Sequence, residues 1–164
     1  MLNIRPATEA DIVAITEIYN EAIANTTATF DTEPKTLEER FQWFEAHDES
    51  HPVLVAEIDE LVIGWATLSK WSDRSAYDST AEVSVYVHHQ HRDQGIGKRL
   101  LEVITLEGEK AGLHTLISRI TQGNEKSIYL HERLGFENVG VLKEVGKKFG
   151  KFLDVHMLQK VFGK

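Results

Sequence analysis

Cysteine is absent from this chain of 164 residues, and proline occurs only three times. Without cysteine there is no disulfide, no thiolate metal ligand and no cysteine nucleophile. No apolar run reaches the roughly 18 residues that a transmembrane helix needs, and the N-terminus lacks the apolar segment of a signal peptide. We therefore expect a cytoplasmic protein without a membrane partner.

Positive charge is also scarce, because 18 Lys and Arg stand against 26 Asp and Glu, for a formal net charge of −8. Nucleic-acid binding rewards a basic surface, so we expect no nucleic-acid partner. The hydrophobic content of 41% and charged content of 27% are typical of globular proteins. A chain of this length fits one core, and we expect residues 1–164 to form a single domain.

Periodicity and capping signals predict the element order β-α-α-β-β-β-α-β-α-β-β. Thr-x-x-Asp and Thr-x-x-Glu capping boxes predict the first two helices, and strand–helix–strand units later in the chain imply a partly parallel sheet covered by helices. The predicted helices cover about 9–24, 37–47, 98–111 and 125–134. The predicted strands cover 2–5, 53–58, 61–69, 81–88, 116–120, 139–145 and 152–158, the last two joined through 146–150.

The segment Arg92-x-x-Gly95-x-Gly97 lies between an alternating strand and an amphipathic helix. This order brings free backbone N–H groups and the positive end of a helix to one point, which suits an anion such as phosphate. Lys98 and Arg99 add positive charge there. Neither G-x-G-x-x-G nor G-x-x-x-x-G-K-[ST] is present, so two common nucleotide-binding turns are excluded.

This loop resembles the pyrophosphate loop of the GNAT superfamily of N-acetyltransferases, which reads R/Q-x-x-G-x-G/A. The resemblance implies the GNAT fold, an α/β (α+β) architecture with a mixed, mostly antiparallel central sheet of about seven strands flanked by about four helices. Further segments, spread over nearly the full length, resemble the branch that acetylates phosphinothricin and methionine sulfoximine or sulfone. They are residues 15–20, 28–34, 75–78, 82–87, 130–136 and 148–155.

The resemblance also implies acetyl-CoA as co-substrate, a small amino-acid analogue as acceptor, and a homodimer. Backbone groups of the strand would pair with the pantetheine arm like an added strand, and the Val87 N–H would donate to the thioester oxygen. The implied cofactor-binding residues are Val85, Tyr86, Val87, Arg92, Asp93, Gln94, Gly95, Ile96, Gly97, Lys98, Asn124 and Ser127.

Glu82 is our candidate for the general base. Acetyl transfer to an amine requires the ammonium, with a pKa of roughly 10, to lose its proton. On a strand Glu82 shares one face with Ser84 and Tyr86, and the resembling branch carries a glutamate at the matching position. The strand pattern alone is also typical of a solvent-facing glutamate.

His131 occupies the position at which many superfamily members have a tyrosine that protonates the leaving thiolate. Tyr129 lies about 200° away around the helix and cannot replace it. We therefore expect His131 either to act as a weak acid or to pack near the sulfur.

Arg74 is predicted to anchor the carboxylate of the acceptor, because a guanidinium binds a carboxylate through two parallel hydrogen bonds. It lies near Tyr77 in a loop without periodicity, although an exposed loop arginine would look the same. Phe30, Trp71 and Phe149 are expected to wall the acceptor side chain, and each could equally belong to the core.

No metal is expected. His88 and His89 are neighbours on a predicted strand end and point to opposite faces, and no carboxylate is suitably spaced from them or from His91. Two other functions stay open at this point. One is an acetyltransferase for polyamines or protein N-termini, which would suit the acidic chain. The other is a non-catalytic CoA-binding regulatory domain, which would keep the loop at 92–98 but need no base at Glu82.

Overall fold

The computed structural model describes all of residues 1–164, and the observed order of its elements matches the predicted one. None of the four helices combines the length and the hydropathy needed to span a bilayer. The strands are β1 Leu2–Pro6, β2 Val53–Ile58, β3 Leu61–Lys70, β4 Thr80–Val87, β5 Thr115–Thr121, β6 Glu137–Lys148 and β7 Lys151–Val161. The helices are α1 Ile12–Asn25, α2 Leu37–Glu45, α3 Ile96–Lys110 and α4 Glu125–Arg133.

All seven strands form one sheet in the order β1-β2-β3-β4-β5-β7-β6. Every neighbouring pair is antiparallel except β4 and β5, whose parallel pairing uses α3 as its crossover. These two strands pair only from Thr80 opposite Thr115 to Glu82 opposite Ile117. Both strands continue beyond that point without pairing with each other, so the sheet opens at its centre.

Apolar side chains pack on both faces of the sheet, as the alternation along its central strands predicts. On one face, α1 and α2 bury Ile15 against Val55 and Trp65. On the other face, Leu100 and Ile104 of α3 are fully buried against the sheet. The open centre of the sheet is therefore held between two separately packed layers.

The capping boxes form at both predicted helix starts. The Thr36 hydroxyl accepts the Glu39 N–H at 3.1 Å, and the Glu39 carboxylate accepts the Thr36 N–H at 3.0 Å. The first predicted helix begins as a 3-10 turn at residues 9–11, and α1 proper begins at Ile12. Hydrogen bonds from Arg5 and from the Thr8 amide hold the pKa of Asp11 below its ordinary value.

The C-terminal hairpin corrects the predicted strand ends, because its connection is the two-residue turn Phe149–Gly150 rather than the segment 146–150. Both turn residues have positive φ, 54° and 75°, as a type I′ hairpin turn requires. Gly146 lies inside β6, where the Phe30 ring packs on its backbone so closely that a Cβ would lie 2.1 Å from a ring carbon. This glycine therefore marks a close approach, not a strand end.

Candidate active site

A cavity of about 580 Å³ opens where β4 and β5 diverge. Its walls come from those two strands, from the hairpin β6–β7, from the start of α4 and from the segment that follows α1. The structure thus brings together predicted site residues that lie far apart in the sequence. Those lining the cavity are Phe30, Glu82, Val85, Tyr86, Asn124, Ser127 and His131.

The Glu82 carboxylate in this cavity is held by an arginine that the sequence did not indicate. Arg119 donates from Nε to one carboxylate oxygen at 2.5 Å and from Nη2 to the other at 2.7 Å. Glu82 lies opposite Ile117 in the parallel register, and Arg119 follows two residues later on the same face of β5. The pair raises the pKa of Arg119 above its ordinary value. The candidate base therefore has a fixed position and a cationic neighbour.

The edge of β4 that faces the cavity is free of strand pairing beyond Glu82. On the opposite edge, the His88 N–H donates to the Ile63 carbonyl at 2.8 Å. Because successive residues of a strand direct their amides to opposite edges, the amides of Val85 and Val87 point towards the opening. An extended ligand can therefore pair with this edge as an added strand would.

Residues 92–98 form the predicted turn into α3. Gly95 has φ of 80°, and no atom lies within 4 Å of the position that a Cβ would take there. The amides of Ile96, Gly97 and Lys98 belong to the first turn of α3, where no carbonyl four residues earlier in the helix can accept them. They carry the positive end of the helix dipole. These residues fit a diphosphate, which needs several converging donors.

Two charged side chains of this loop are engaged by other parts of the fold. The Arg92 guanidinium donates to Glu21 of α1 at 2.7 Å and to the carbonyl that ends β4 at 3.2 Å, so it fastens the loop to the fold. Asp93 pairs with Lys126 of α4, and the hydrogen bond from Lys126 lowers the pKa of Asp93. These contacts leave the main-chain amides of the first turn of α3 as the donors of the loop that are free for a ligand.

His131 is buried in α4 and does not have the geometry of the predicted general acid. Its Nδ1 lies 2.7 Å from the Ser127 carbonyl, and a carbonyl can only accept, so Nδ1 carries the proton. Burial lowers the pKa of His131, which favours the neutral ring, and Nε2 is then a buried lone pair without a partner. The ring packs edge-on against Phe136 at 4.9 Å. This arrangement agrees with the alternative role in packing.

Asn124 and Ser127 lie at the start of α4 and face the cavity. The Asn124 side-chain oxygen accepts the Ser127 N–H at 3.3 Å, which caps the helix. The Asn124 oxygen is therefore already used in capping, whereas its amide nitrogen is not.

Four of the five predicted acceptor-binding residues, all except Phe30, lie outside the cavity lining. Arg74 and Tyr77 are exposed on and beside the 3-10 turn 75–77. Phe149 is 58% exposed at the tip of the β6–β7 hairpin. Both segments are exposed connections at strand ends. Leu142 and Val145 of the same hairpin line the cavity in place of Phe149.

Trp71 lies next to the cavity rather than in its lining, and its ring is 5.7 Å from the guanidinium carbon of Arg119, which does line it. Phe30 is the predicted wall residue that does line the cavity. Of the predicted wall aromatics, Phe30 therefore lines the cavity and Trp71 lies beside the guanidinium that holds Glu82.

Polar groups of two segments that carry the family resemblance, 15–20 and 28–34, also line the cavity, although no site role was predicted for them. The Tyr19 hydroxyl bonds to the Thr29 hydroxyl at 2.9 Å and to the Asp31 carboxylate. Burial raises the pKa of Tyr19 well above its ordinary value and raises that of Tyr86 to about 12. Both phenols therefore stay neutral, and they offer hydroxyl groups to the cavity that they line.

Lys148 was also missed, although it fixes one wall of the cavity. Its buried ammonium donates to the carbonyls of Thr26 at 2.7 Å and Thr29 at 2.8 Å, and burial lowers its pKa. These bonds tie the β6–β7 hairpin to the segment that follows α1. The Phe30 ring is thereby held against Gly146.

Comparison with known proteins gives consistent matches over the whole chain. The profile of the acetyltransferase (GNAT) domain matches residues 4–157. The chain is 40% identical over 159 residues to the L-methionine sulfoximine/L-methionine sulfone acetyltransferase of Pseudomonas paraeruginosa, a match that covers 96% of this chain and 92% of the relative.

Solved structures agree with this result. A ribosomal-protein-alanine N-acetyltransferase from Brucella melitensis superposes with a TM-score of 0.95 at 42% identity, over 98% of this chain and 99% of the other. A phosphinothricin acetyltransferase from Sinorhizobium meliloti in complex with acetyl-CoA gives a TM-score of 0.95 at 35% identity, over 99% and 89%.

Proposed function

The chain belongs to the GNAT family of acetyltransferases, and from that premise we propose that it acetylates the α-amine of a small amino-acid analogue with acetyl-CoA. Phosphinothricin, methionine sulfoximine and methionine sulfone are the proposed acceptors, because proteins named for them match nearly the full chain. The observation that carries the proposal is that the Glu82 carboxylate and the free edge of β4 line the same cavity.

In this proposal Glu82 takes the proton of the acceptor ammonium, directly or through a water. The freed amine attacks the thioester carbonyl carbon, the new C–N bond forms as the C–S bond breaks, and the departing thiolate takes a proton from solvent. The Val87 N–H donates to the carbonyl oxygen as negative charge develops on it. Transfer is direct, since no cysteine is present to hold an acyl group.

Acetyl-CoA supplies the activated acetyl group, and we assign its binding to the main chain. The amides of residues 92–98 would hold the diphosphate, and the edge at Val85–Val87 would pair with the pantetheine arm. Asn124 and Ser127 would contact the same arm from α4. Support comes from the unpaired strand edge and from the first-turn amides of α3.

A homodimer is part of the proposal. Strand β6 lies at the edge of the sheet, and an unpaired edge with apolar side chains invites pairing with another chain. Its exposed apolar residues are Val139, Val141, Leu142 and Val145. Light scattering should give twice the chain mass of 18.6 kDa, and a monomer mass would contradict the dimer. We also propose, from composition, a cytoplasmic location, which cell fractionation would test.

The proposed function is tested by thiol release from acetyl-CoA in the presence of an amine panel. The panel contains phosphinothricin, methionine sulfone, spermidine and a peptide that begins with alanine. We expect the fastest release with the first two acceptors. Faster release with spermidine or with the peptide would contradict the proposed acceptors and favour a polyamine or a protein N-terminus instead. Binding of acetyl-CoA without release for any amine would instead favour a non-catalytic CoA-binding domain.

A further inference from the structure

Arg119 is the only lysine or arginine that lines the cavity, and three of its five N–H donors are unused. A guanidinium carries five N–H donors in a fixed planar fork. The edge formed by Nε and Nη2 holds the Glu82 carboxylate at 2.5 and 2.7 Å. The other edge, formed by Nη1 and the second Nη2 hydrogen, makes no hydrogen bond or ion pair in the structure. The Arg119 side chain is 54% exposed, so a ligand can reach that edge.

The free edge is suited to a carboxylate. Arginine binds carboxylates through two parallel N–H···O bonds, and each edge of the planar group can form one such pair. The Trp71 ring lies 5.7 Å from the guanidinium carbon and flanks it. Glu82 is the only carboxylate that contacts Arg119, so no other anion of the chain competes for the second edge.

We propose that Arg119 recognises the carboxylate of the acceptor with its free edge while its other edge holds the general base. This proposal rests on the proposed function and names the feature that selects the acceptor. In an α-amino acid a single carbon joins the carboxylate to the amine. A carboxylate on the free edge of Arg119 therefore brings the amine to the side of Glu82. One side chain both positions the base and selects acceptors with adjacent amine and carboxylate groups.

Arg74, predicted from the sequence for the same task, has no comparable position. It is exposed, makes no side-chain hydrogen bond, and lies outside the cavity lining. Replacing Arg119 should therefore reduce the preference for an acceptor with a carboxylate, whereas replacing Arg74 should not. Each variant is the matched control of the other.

The experiment compares methionine sulfone with its carboxamide, in which an uncharged amide replaces the carboxylate, and each variant is compared with wild type on the same two acceptors. Wild-type kcat/KM should favour the acid by about 10- to 100-fold, the range given by hydrogen bonds to a charged group. Arg119→Met should bring this ratio close to one, and Arg119→Lys should retain part of it. Arg74→Met should leave the ratio unchanged. A preserved ratio in Arg119→Met, or its loss in Arg74→Met alone, would overturn the inference.

A double-mutant cycle tests the second half of the proposal, that Arg119 positions Glu82. With the carboxamide as acceptor, Arg119→Met should slow turnover in the wild-type background but add no loss to Glu82→Gln. Independent, additive losses would contradict coupling through Glu82. The KM for acetyl-CoA and the thermal midpoint should stay near wild type, and Arg119→Gln replaces Arg119→Met if the latter unfolds.

Failure of this inference can be told apart from failure of the proposed function. If wild-type protein releases no thiol with methionine sulfone, the proposed acceptor class is wrong. If wild-type protein is active and Arg119→Met still prefers methionine sulfone to its carboxamide, the proposed function is retained and the proposed role of Arg119 is wrong.

Discussion

At the proposed co-substrate end, the site consists of the backbone of one continuous stretch, residues 85–98, whereas at the proposed acceptor end it is the cavity, which is lined by side chains from distant segments. Phe30, Glu82, Arg119 and Val155 all reach the acceptor end from different elements. A backbone site tolerates side-chain change as long as the turn keeps its shape. A site built from side chains depends on every tertiary contact behind them. The two ends should therefore respond to different kinds of substitution.

The largest effect is expected at the acceptor end from Glu82→Gln. Removing a general base lowers kcat/KM by about 10²- to 10⁴-fold, while the KM for acetyl-CoA should change little because the backbone end is untouched. Thiol-release kinetics over a range of pH would measure this. Glu109→Gln, on the exposed side of α3, is the control and should have no effect. A loss below about threefold at all pH values would remove Glu82 from the role of base.

A smaller effect, again confined to the acceptor end, is expected from Gly146→Ala. The added methyl group would collide with the Phe30 ring, whose nearest atom lies 2.1 Å from the Cβ position. Overpacking of this kind costs about 1–3 kcal/mol and should displace the wall and raise the KM for the acceptor. Combining Gly146→Ala with Phe30→Leu, which removes the colliding ring, should restore part of the loss in urea unfolding and in KM. An unchanged acceptor KM in the single variant would show that this wall does not contact the acceptor.

At the co-substrate end the corresponding change is Gly95→Ala. A left-handed conformation costs an alanine about 1–2 kcal/mol, so a distorted turn should weaken acetyl-CoA binding by roughly tenfold. Gly112→Ala is the matched control, since Gly112 has φ of 89°, equally open space and a position at the far end of α3. Calorimetric titration should show weaker binding for Gly95→Ala and normal binding for Gly112→Ala. Equal affinities in both variants would contradict the assignment of the loop.

The smallest effect is expected in the pH dependence of the free energy of unfolding. It concerns His131, which lies in α4 and lines the cavity. Burial lowers the pKa of His131 and of His47. The unfolded chain therefore binds more protons than the folded one below a pH of about 6.5, and the free energy of unfolding falls as pH drops through that value. His131→Asn, which keeps a donor for the Ser127 carbonyl, should reduce the fall between about pH 7.5 and pH 5.5. An identical slope in urea unfolding would exclude His131 as a contributor.

The order of strands and helices, the GNAT family and the use of acetyl-CoA could all be predicted, and the comparisons confirm them. The reason is local. Capping boxes, strand alternation and the glycine turn at 95–97 each depend on residues that are close together in the sequence. The pair of Glu82 and Arg119 could not be predicted, because it depends on the register between two parallel strands. Gly146 was misread as a strand end because its partner, Phe30, is distant in the chain.

The assignments of individual residues to the site stay predictions. Some of these residues line the cavity in the structure and others do not. Glu82 and Phe30 lie in the cavity, whereas Arg74 and Phe149 lie on exposed turns. Aromatic or charged residues in loops give no sequence signal for the direction in which the loop leaves the sheet. His131 shows a further limit, since its tautomer is decided by a carbonyl one helical turn away.

Because Trp71 lies beside Arg119, its fluorescence can be used to detect a ligand that binds there. The chain has three tryptophans, and the other two, Trp43 and Trp65, pack together at 5.4 Å in the layer under α1 and α2. Replacing those two with phenylalanine would leave one indole next to the cavity. Its emission would then report the arrival of an anion at the neighbouring guanidinium in real time, and stopped-flow fluorescence could follow acceptor binding without any label.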